Sequence, residues 1–198
     1  MVLVMSRLGW RQPKTTHFGT HIVRNIDHFL GQYAWFYGIA LISLVEVFAH
    51  EFTMPFWTAI LAVFMLGGRI SPKRTLAIAI GFVGVVIMLR PSLEIISPAA
   101  IVVLVAAFLY AFAHTLTKKL SGFDTPVAIV FYLAGIQLVI AVIFSFQEFT
   151  WPSVNFLLWT IGVGVFALTA NYSLTRAFTL CDVSIVMPFD YLRLPFIT

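Results

Sequence analysis

Residues Phe52–Gly68 read FTMPFWTAILAVFMLGG: seventeen uncharged positions with Pro55 near the start. Arg69 follows, then Ile70-Ser71-Pro72-Lys73-Arg74, then a second apolar run, Thr75–Leu89, closed by Arg90-Pro91. Met54-Pro55-Phe56 returns 133 residues later as Met187-Pro188-Phe189. A proline-bearing apolar segment thus occurs twice, which suggests two related halves.

Composition says what solvent such segments meet. The chain is 61% hydrophobic and 10% charged, with a mean hydropathy of +0.99, whereas a soluble domain carries about 25% charged residues. The apolar residues are spread over the whole length, so one buried core does not account for them. Helices in a bilayer do, because each satisfies its own backbone groups there. The pI of about 9.5 and net charge of +4 would raise nucleic acid as a partner of a soluble protein. Here the basic residues lie between apolar runs and report topology instead; no nucleic-acid partner is expected. The single cysteine, Cys181, excludes an intrachain disulfide and a cysteine metal site. No cofactor is expected.

Taken in order, residues 6–30 read as a polar loop with a short surface helix. The complete spans are expected at Gly31–Ala49, Phe52–Gly68, Thr75–Leu89, Pro98–Thr117, Val127–Phe146 and Phe156–Phe178. His50-Glu51 reads as a tight connection. Gly67-Gly68 suits a helix end, and Ser71-Pro72 a helix start. MVLVM at the beginning reads as the tail of a helix, and Ser184 begins another. The fold class is therefore an all-α polytopic membrane protein, an incomplete inverted repeat of five-helix units with six full and two partial transmembrane helices. Both ends read as cuts, as in a fragment, a truncated gene or a mis-assigned start.

Alternating crossings gather Arg7, Arg11, Lys14, Arg24, Arg69, Lys73, Arg74, Lys118, Lys119 and Arg176 on one side. The other side receives Arg90, with His50, Glu51, Glu94 and Glu148. By the positive-inside rule the basic loops are cytoplasmic, in a multi-pass protein of the inner (plasma) membrane. Five crossings separate the two MPF segments, so they enter from opposite sides. That is the arrangement of an inverted-repeat transporter, with a site near the midplane between the halves.

Residues 52–91, FTMPFWTAILAVFMLGGRISPKRTLAIAIGFVGVVIMLRP, resemble the EamA domain of the drug/metabolite transporter superfamily. They share its early proline, Gly-x-Arg, basic turn, Gly-Phe-x-Gly-Val and Arg-Pro exit. Tyr172–Phe196 is similar to the corresponding late region of the second half. The resemblance implies ten helices in two inverted halves with both termini cytoplasmic. On it, residues 1–91 are a first half lacking helix 1 and most of helix 2. Residues 92–198 are a second half lacking the end of helix 9 and helix 10. One departure is Gly68, where the family commonly has glutamate.

The candidate site residues are polar or helix-breaking groups within spans. Pro55 and Pro188 free a carbonyl and bend a helix; either they shape the cavity, as the resemblance implies, or they occupy an ordinary first turn. Asp190 and Arg193 are three apart and can pair on one face, as a solute site or a structural ion pair, because an unpaired mid-membrane arginine is costly. Glu46 is a further carboxylate that either reaches water or exchanges protons, which leaves proton coupling open. Gln137 falls mid-span, where an amide needs a partner. Tyr33 and Tyr37 share a face, as do Tyr110 and His114, and each is either a cavity wall or an interfacial anchor. Gly81, Gly84, Gly162 and Gly164 are expected to permit close helix packing; their spacing does not imply dimerisation, and a homodimer is left open.

The leading function is secondary transport of a small organic metabolite or drug-like solute across the lipid bilayer by alternating access, with substrate and direction open. A truncated non-transporting remnant or structural membrane partner is a second class. An integral-membrane lipid-modifying enzyme is a third, resting only on the His17, His21, Asp27 and His28 cluster. The chain is otherwise not read as an enzyme: it has no nucleophile–base constellation and no phosphate loop.

Overall fold

A computed structural model describes residues 14–68, 71–89, 97–146 and 151–193; of Arg74, Val85, Val86, Met88, Leu89 and Arg193 only the backbone is described. Capping chemistry marks most helix starts. Helix α1 spans Phe18–Leu41 and α2 spans Leu44–Glu51, capped by Ser43, whose side chain accepts from the Glu46 N–H. Helix α3 spans Met54–Leu66 and α4 Pro72–Leu89. Helix α5 spans Pro98–Leu120, capped by Ser97; α6 spans Pro126–Ser145, capped by Thr125. Helix α7 spans Val154–Leu180, capped by Ser153. A short α8, Val183–Val186, runs directly into a 3-10 segment, Met187–Arg193. Each capping hydroxyl satisfies one otherwise orphaned N–H. Gly67 closes α3 in the left-handed region, φ 64°, a conformation that glycine adopts without a Cβ penalty.

Among the described residues, four stretches are long and apolar enough to cross a bilayer: Leu44–Leu66, Pro98–Leu120, Pro126–Ser145 and Val154–Leu180. Thr75–Gly84 and Val183–Leu192 are shorter apolar helices. The protein is thus an all-α, multi-pass membrane protein with a partial bundle of crossings.

Two boundaries differ from the sequence expectation. Residues 18–30 are not a loop; they form the first half of α1. The expected span Gly31–Ala49 is instead broken at Ile42-Ser43, and His50-Glu51 is helical and buried rather than a connection. The stretch Leu44–Leu66 is built from α2 and α3 together, with its interruption at Phe52-Thr53. There the Thr53 N–H and hydroxyl both donate to the His50 carbonyl, at 3.1 and 2.8 Å. Pro55 lacks an N–H and sits just after this break, in the first turn of α3, where that loss is cheap.

The reason α1 escaped notice is its polarity pattern. His21, Arg24 and Asn25 are buried, with Asp27 beside them, while Ile22, Val23, Ile26 and Leu30 are exposed. The helix is polar inward and apolar outward, the reverse of a surface helix in water. In a membrane that is the favourable sense, since charged groups face protein and hydrocarbon faces lipid.

Helix α5 is the hub, packed against α1, α2, α3, α7 and α8. Its buried face is largely alanine: Ala99, Ala100, Ala106, Ala107, Ala111 and Ala113. Small residues let helices approach closely where lipid supplies no hydrophobic drive for association. Helix α1 answers with Gly31 and Gly38. A Cβ at Gly31 would lie 3.2 Å from Leu109 Cβ, and one at Gly38 would collide with Val103. Of the four glycines expected to permit packing, Gly81 does, with the Tyr191 ring lying over it. Gly84, Gly162 and Gly164 have nothing within 4 Å of a Cβ position, and that expectation is corrected for them. The N-terminal half of α7 is exposed all round, Phe166 to 77% and Trp159 to 78%, so it offers apolar surface suited to lipid.

Candidate solute cavity

Side-chain hydrogen bonds fix one end of the bundle. Asp124, in the turn after α5, accepts from the Thr15 hydroxyl at 2.7 Å and pairs with His21 Nε2 at 2.8 Å. Arg24 is 1% exposed; it donates from Nε to Thr117 Oγ1 and from a terminal nitrogen to Asn25 Oδ1, both at 3.0 Å. Lys118 donates to the carbonyls of Phe178 and Cys181 at 2.6 and 2.8 Å. It thereby caps the C-terminus of α7, where orphaned carbonyls and the helix dipole favour a cation. The start of α1 and the ends of α5 and α7 therefore lie together.

Deeper in the bundle two cavities adjoin, of about 610 and 650 Å³. His28, Gln32, Phe36, Tyr110 and Asn171 line both, so they are two lobes of one space between α1, α5 and α7. The first lobe adds Trp35, Glu51, His114 and Asp190. Trp35 Nε1 donates to Glu51 Oε2 at 2.8 Å, tying α1 to α2. The second lobe adds Tyr33, Leu133, Gln137 and Leu138. Here Gln137 Nε2 donates to the Asn25 carbonyl at 3.1 Å and lies 3.3 Å from His28 Nδ1. The rings of His28 and Tyr110 meet edge to face, centroids 5.4 Å apart. Aromatic walls with a few convergent polar groups are the ordinary make-up of a small-molecule site.

The structure brings together five of the ten candidates. Tyr110, His114 and Asp190 line the first lobe, and Tyr33, Tyr110 and Gln137 the second. Gln137 has the partner that its mid-span position called for. Pro188 lines a separate pocket of about 400 Å³ with Lys73, Ala77 and Ser184. Glu46 lies in the first turn of α2, and its N–H is bonded to Ser43; it lines neither lobe. Pro55 is buried beside Met54, which does line the first lobe. Tyr37 is half exposed and lines neither. The Arg193 side chain, and with it the expected pairing to Asp190, lies outside the described residues. His28, Gln32, Phe36 and Glu51 were missed as cavity residues. The available signal was the recurrence of His21, Arg24, Asn25, His28 and Gln32 at helical spacing, which puts them on one face. Among the described residues no group of histidines, cysteines and carboxylates could hold a metal.

These features define a polytopic membrane protein with a cavity lined by aromatic and polar side chains. The profile of the EamA-like transporter family matches residues 3–90. A riboflavin transporter of Brucella anthropi is 30% identical over 198 residues, covering 97% of this chain and 70% of that protein. An S-adenosylmethionine uptake transporter of Rickettsia prowazekii is 27% identical over 186 residues, 94% of this chain and 63% of that protein. A riboflavin transporter of Vibrio cholerae is 28% identical over 194 residues, 96% and 65% respectively. The chain belongs to the EamA-like transporter family, which places it among membrane transporters rather than enzymes.

Proposed function

We propose that the chain forms the solute pathway of a secondary transporter that moves a small organic metabolite across the membrane by alternating access. The observation that carries this is the two-lobed cavity. Its polar residues, among them His28, Gln32, Glu51 and Gln137, lie between helices that present apolar side chains outward, and polar groups within membrane-spanning bundles commonly mark a solute path.

The inverted-repeat reading has two supports. Met54-Pro55-Phe56 follows the break between α2 and α3, and Met187-Pro188-Phe189 follows the change from α8 to 3-10 geometry. Both segments thus mark an interrupted helix, the usual feature of a site between repeats. Met54 and Met187 also pack in one core cluster with Ala107, Ala111 and Phe178, as equivalent residues near a pseudo-two-fold axis would. On this reading residues 1–91 and 92–198 belong to the two halves. The end of the bundle that carries Lys118 and Lys119 faces the cytoplasm, by the positive-inside rule. Arg24 leaves that tally because it is buried in α1; the remaining basic positions keep the same bias.

The relatives' names give two solutes to test first, riboflavin and S-adenosylmethionine. Proteoliposomes containing the chain should accumulate one of them above empty liposomes. Asn171→Trp, which would intrude on both lobes, should abolish the accumulation. Accumulation that survives Asn171→Trp would remove the cavity from the pathway. Proton coupling belongs to the same proposal, with Asp190, which shares the first lobe with Glu51, as the coupling carboxylate; uptake unchanged by a protonophore would exclude it.

A further inference from the structure

We propose that the crevice between α4 and the 3-10 segment Met187–Arg193 holds an anionic phospholipid, its headgroup at Lys73 and an acyl chain along Ala77, Pro188, Phe189 and Leu192. The crevice, of about 400 Å³, lies apart from the solute cavity: none of the residues lining it lines either lobe.

Contacts at its two limits fix where the crevice lies. Lys118 donates to the Cys181 carbonyl at 2.8 Å, and α8 starts just beyond, at Val183. Ser184, in the first turn of α8, lines the crevice together with Lys73, in the first turn of α4. Both helices therefore start at the end of the bundle that carries Lys118 and run inward from it. At the inner limit the Tyr191 ring lies over Gly81, which closes the gap. Lys73, Ala77 and Gly81 are four apart and form one stripe of α4. The crevice thus follows the helix for about 12 Å, at ~1.5 Å per residue. One leaflet contributes roughly 15 Å of hydrocarbon, so the slot matches the reach of a lipid tail entering from that surface.

The lining is graded as an amphiphile requires. Lys73 forms no hydrogen bond or ion pair with another described residue, and among the described residues no carboxylate lines the crevice. Arg69 and Arg74 belong to the same basic turn of the sequence. Further in, the walls are Ala77, Pro188, Phe189 and Leu192. A lysine lays its stem on apolar surface and keeps its ammonium at the headgroup level, and basic pockets between membrane helices hold acidic headgroups. A free phosphate would leave the apolar slot unfilled, whereas a phospholipid fills both parts. Phosphatidylcholine brings a cation of its own beside Lys73, so the site favours a net negative headgroup. Phe189 and Leu192, three apart, share a face of the 3-10 segment, while Asp190 lines the first lobe. A lipid in the crevice therefore braces from outside the segment that carries Asp190.

Native mass spectrometry of the full chain, released from nanodiscs of mixed phosphatidylcholine and phosphatidylglycerol, reads which lipid stays bound. The unaltered chain should retain phosphatidylglycerol in preference to phosphatidylcholine. Lys73→Gln should weaken that retention about fivefold, the effect of one lysine beside an acidic lipid surface. Lys119→Gln removes an exposed charge at the same end of the bundle and should leave retention unchanged. Ala77→Trp, which occupies the crevice and keeps the charge, should abolish it. No preference for phosphatidylglycerol in the unaltered chain overturns the proposal, and that measurement needs no variant. Equal losses from Lys73→Gln and Lys119→Gln would assign the preference to overall surface charge and overturn the crevice, as would full retention by Ala77→Trp. A dimer that Ala77→Trp separates would make the crevice an interface between copies and overturn the lipid as its occupant.

Discussion

Gly38→Ala tests the packing on which the cavity depends. Gly38 lies on the buried face of α1, and an added Cβ would fall on Val103 Cγ2, with Val47 Cγ2 3.8 Å away. Val103 is fully buried and β-branched, so its χ1 is stiff and the methyl cannot swing aside. Overpacking of this kind costs about 1–3 kcal/mol. Replacing a helix-interior glycine by alanine returns about 1 kcal/mol. The expected net loss is about 0–2 kcal/mol, a fall in melting temperature of up to about 8 °C for a chain of this size. Heating detergent-solubilised protein and following the monodisperse fraction by size exclusion would measure it. Gly84→Ala is the matched control: its Cβ would meet nothing within 4 Å, so stability should hold or rise. Adding Val103→Ala to Gly38→Ala removes the colliding methyl, and the pair should be more stable than the sum of the single changes by about 1 kcal/mol. Equal melting temperatures for Gly38→Ala and Gly84→Ala, with no coupling to Val103, would refute the close approach of α1 and α5.

Three further outcomes follow from named contacts. Lys118→Met should lower the melting temperature and speed amide exchange at the last turn of α7, because the carbonyls of Phe178 and Cys181 lose their cation; unchanged exchange there would deny the cap. Arg24→Met should destabilise by about 1–3 kcal/mol, because the buried hydrogen bonds from Arg24 to Thr117 Oγ1 and Asn25 Oδ1 are lost; an unchanged melting temperature in the same thermal assay would deny that link between α1 and α5. Gly81→Ala should destabilise while Gly81→Ala with Tyr191→Ala does not, because the three atoms nearest the new methyl all belong to the Tyr191 ring.

Much of the fold could be read directly. The apolar runs that became α5, α6 and α7 lie within a few residues of their expected bounds, because hydrocarbon length and capping residues are local properties. Gly67 and Pro72 marked the end of α3 and the start of α4 for the same reason. Helix α1 was not legible by hydropathy. Its buried polar face lowers the average over residues 18–30 to that of a loop, and only the 3.6-residue recurrence of the polar groups distinguishes the two. Misplacing α1 displaced the next boundary as well, which put Glu51 in a connection instead of the cavity wall.

The sequence by itself determined that this chain lives in a bilayer and that it crosses it as several apolar helices. Those conclusions depend on composition and spacing along the chain, which no packing can change. Only the tertiary structure decided which polar residues meet. Gln137 and Asn25 are 112 positions apart and His21 and Asp124 are 103 apart, and whether such groups touch depends on how each helix is rotated. That rotation is set by where Gly31, Gly38 and the alanines of α5 let backbones approach, a property of pairs of helices and of neither alone.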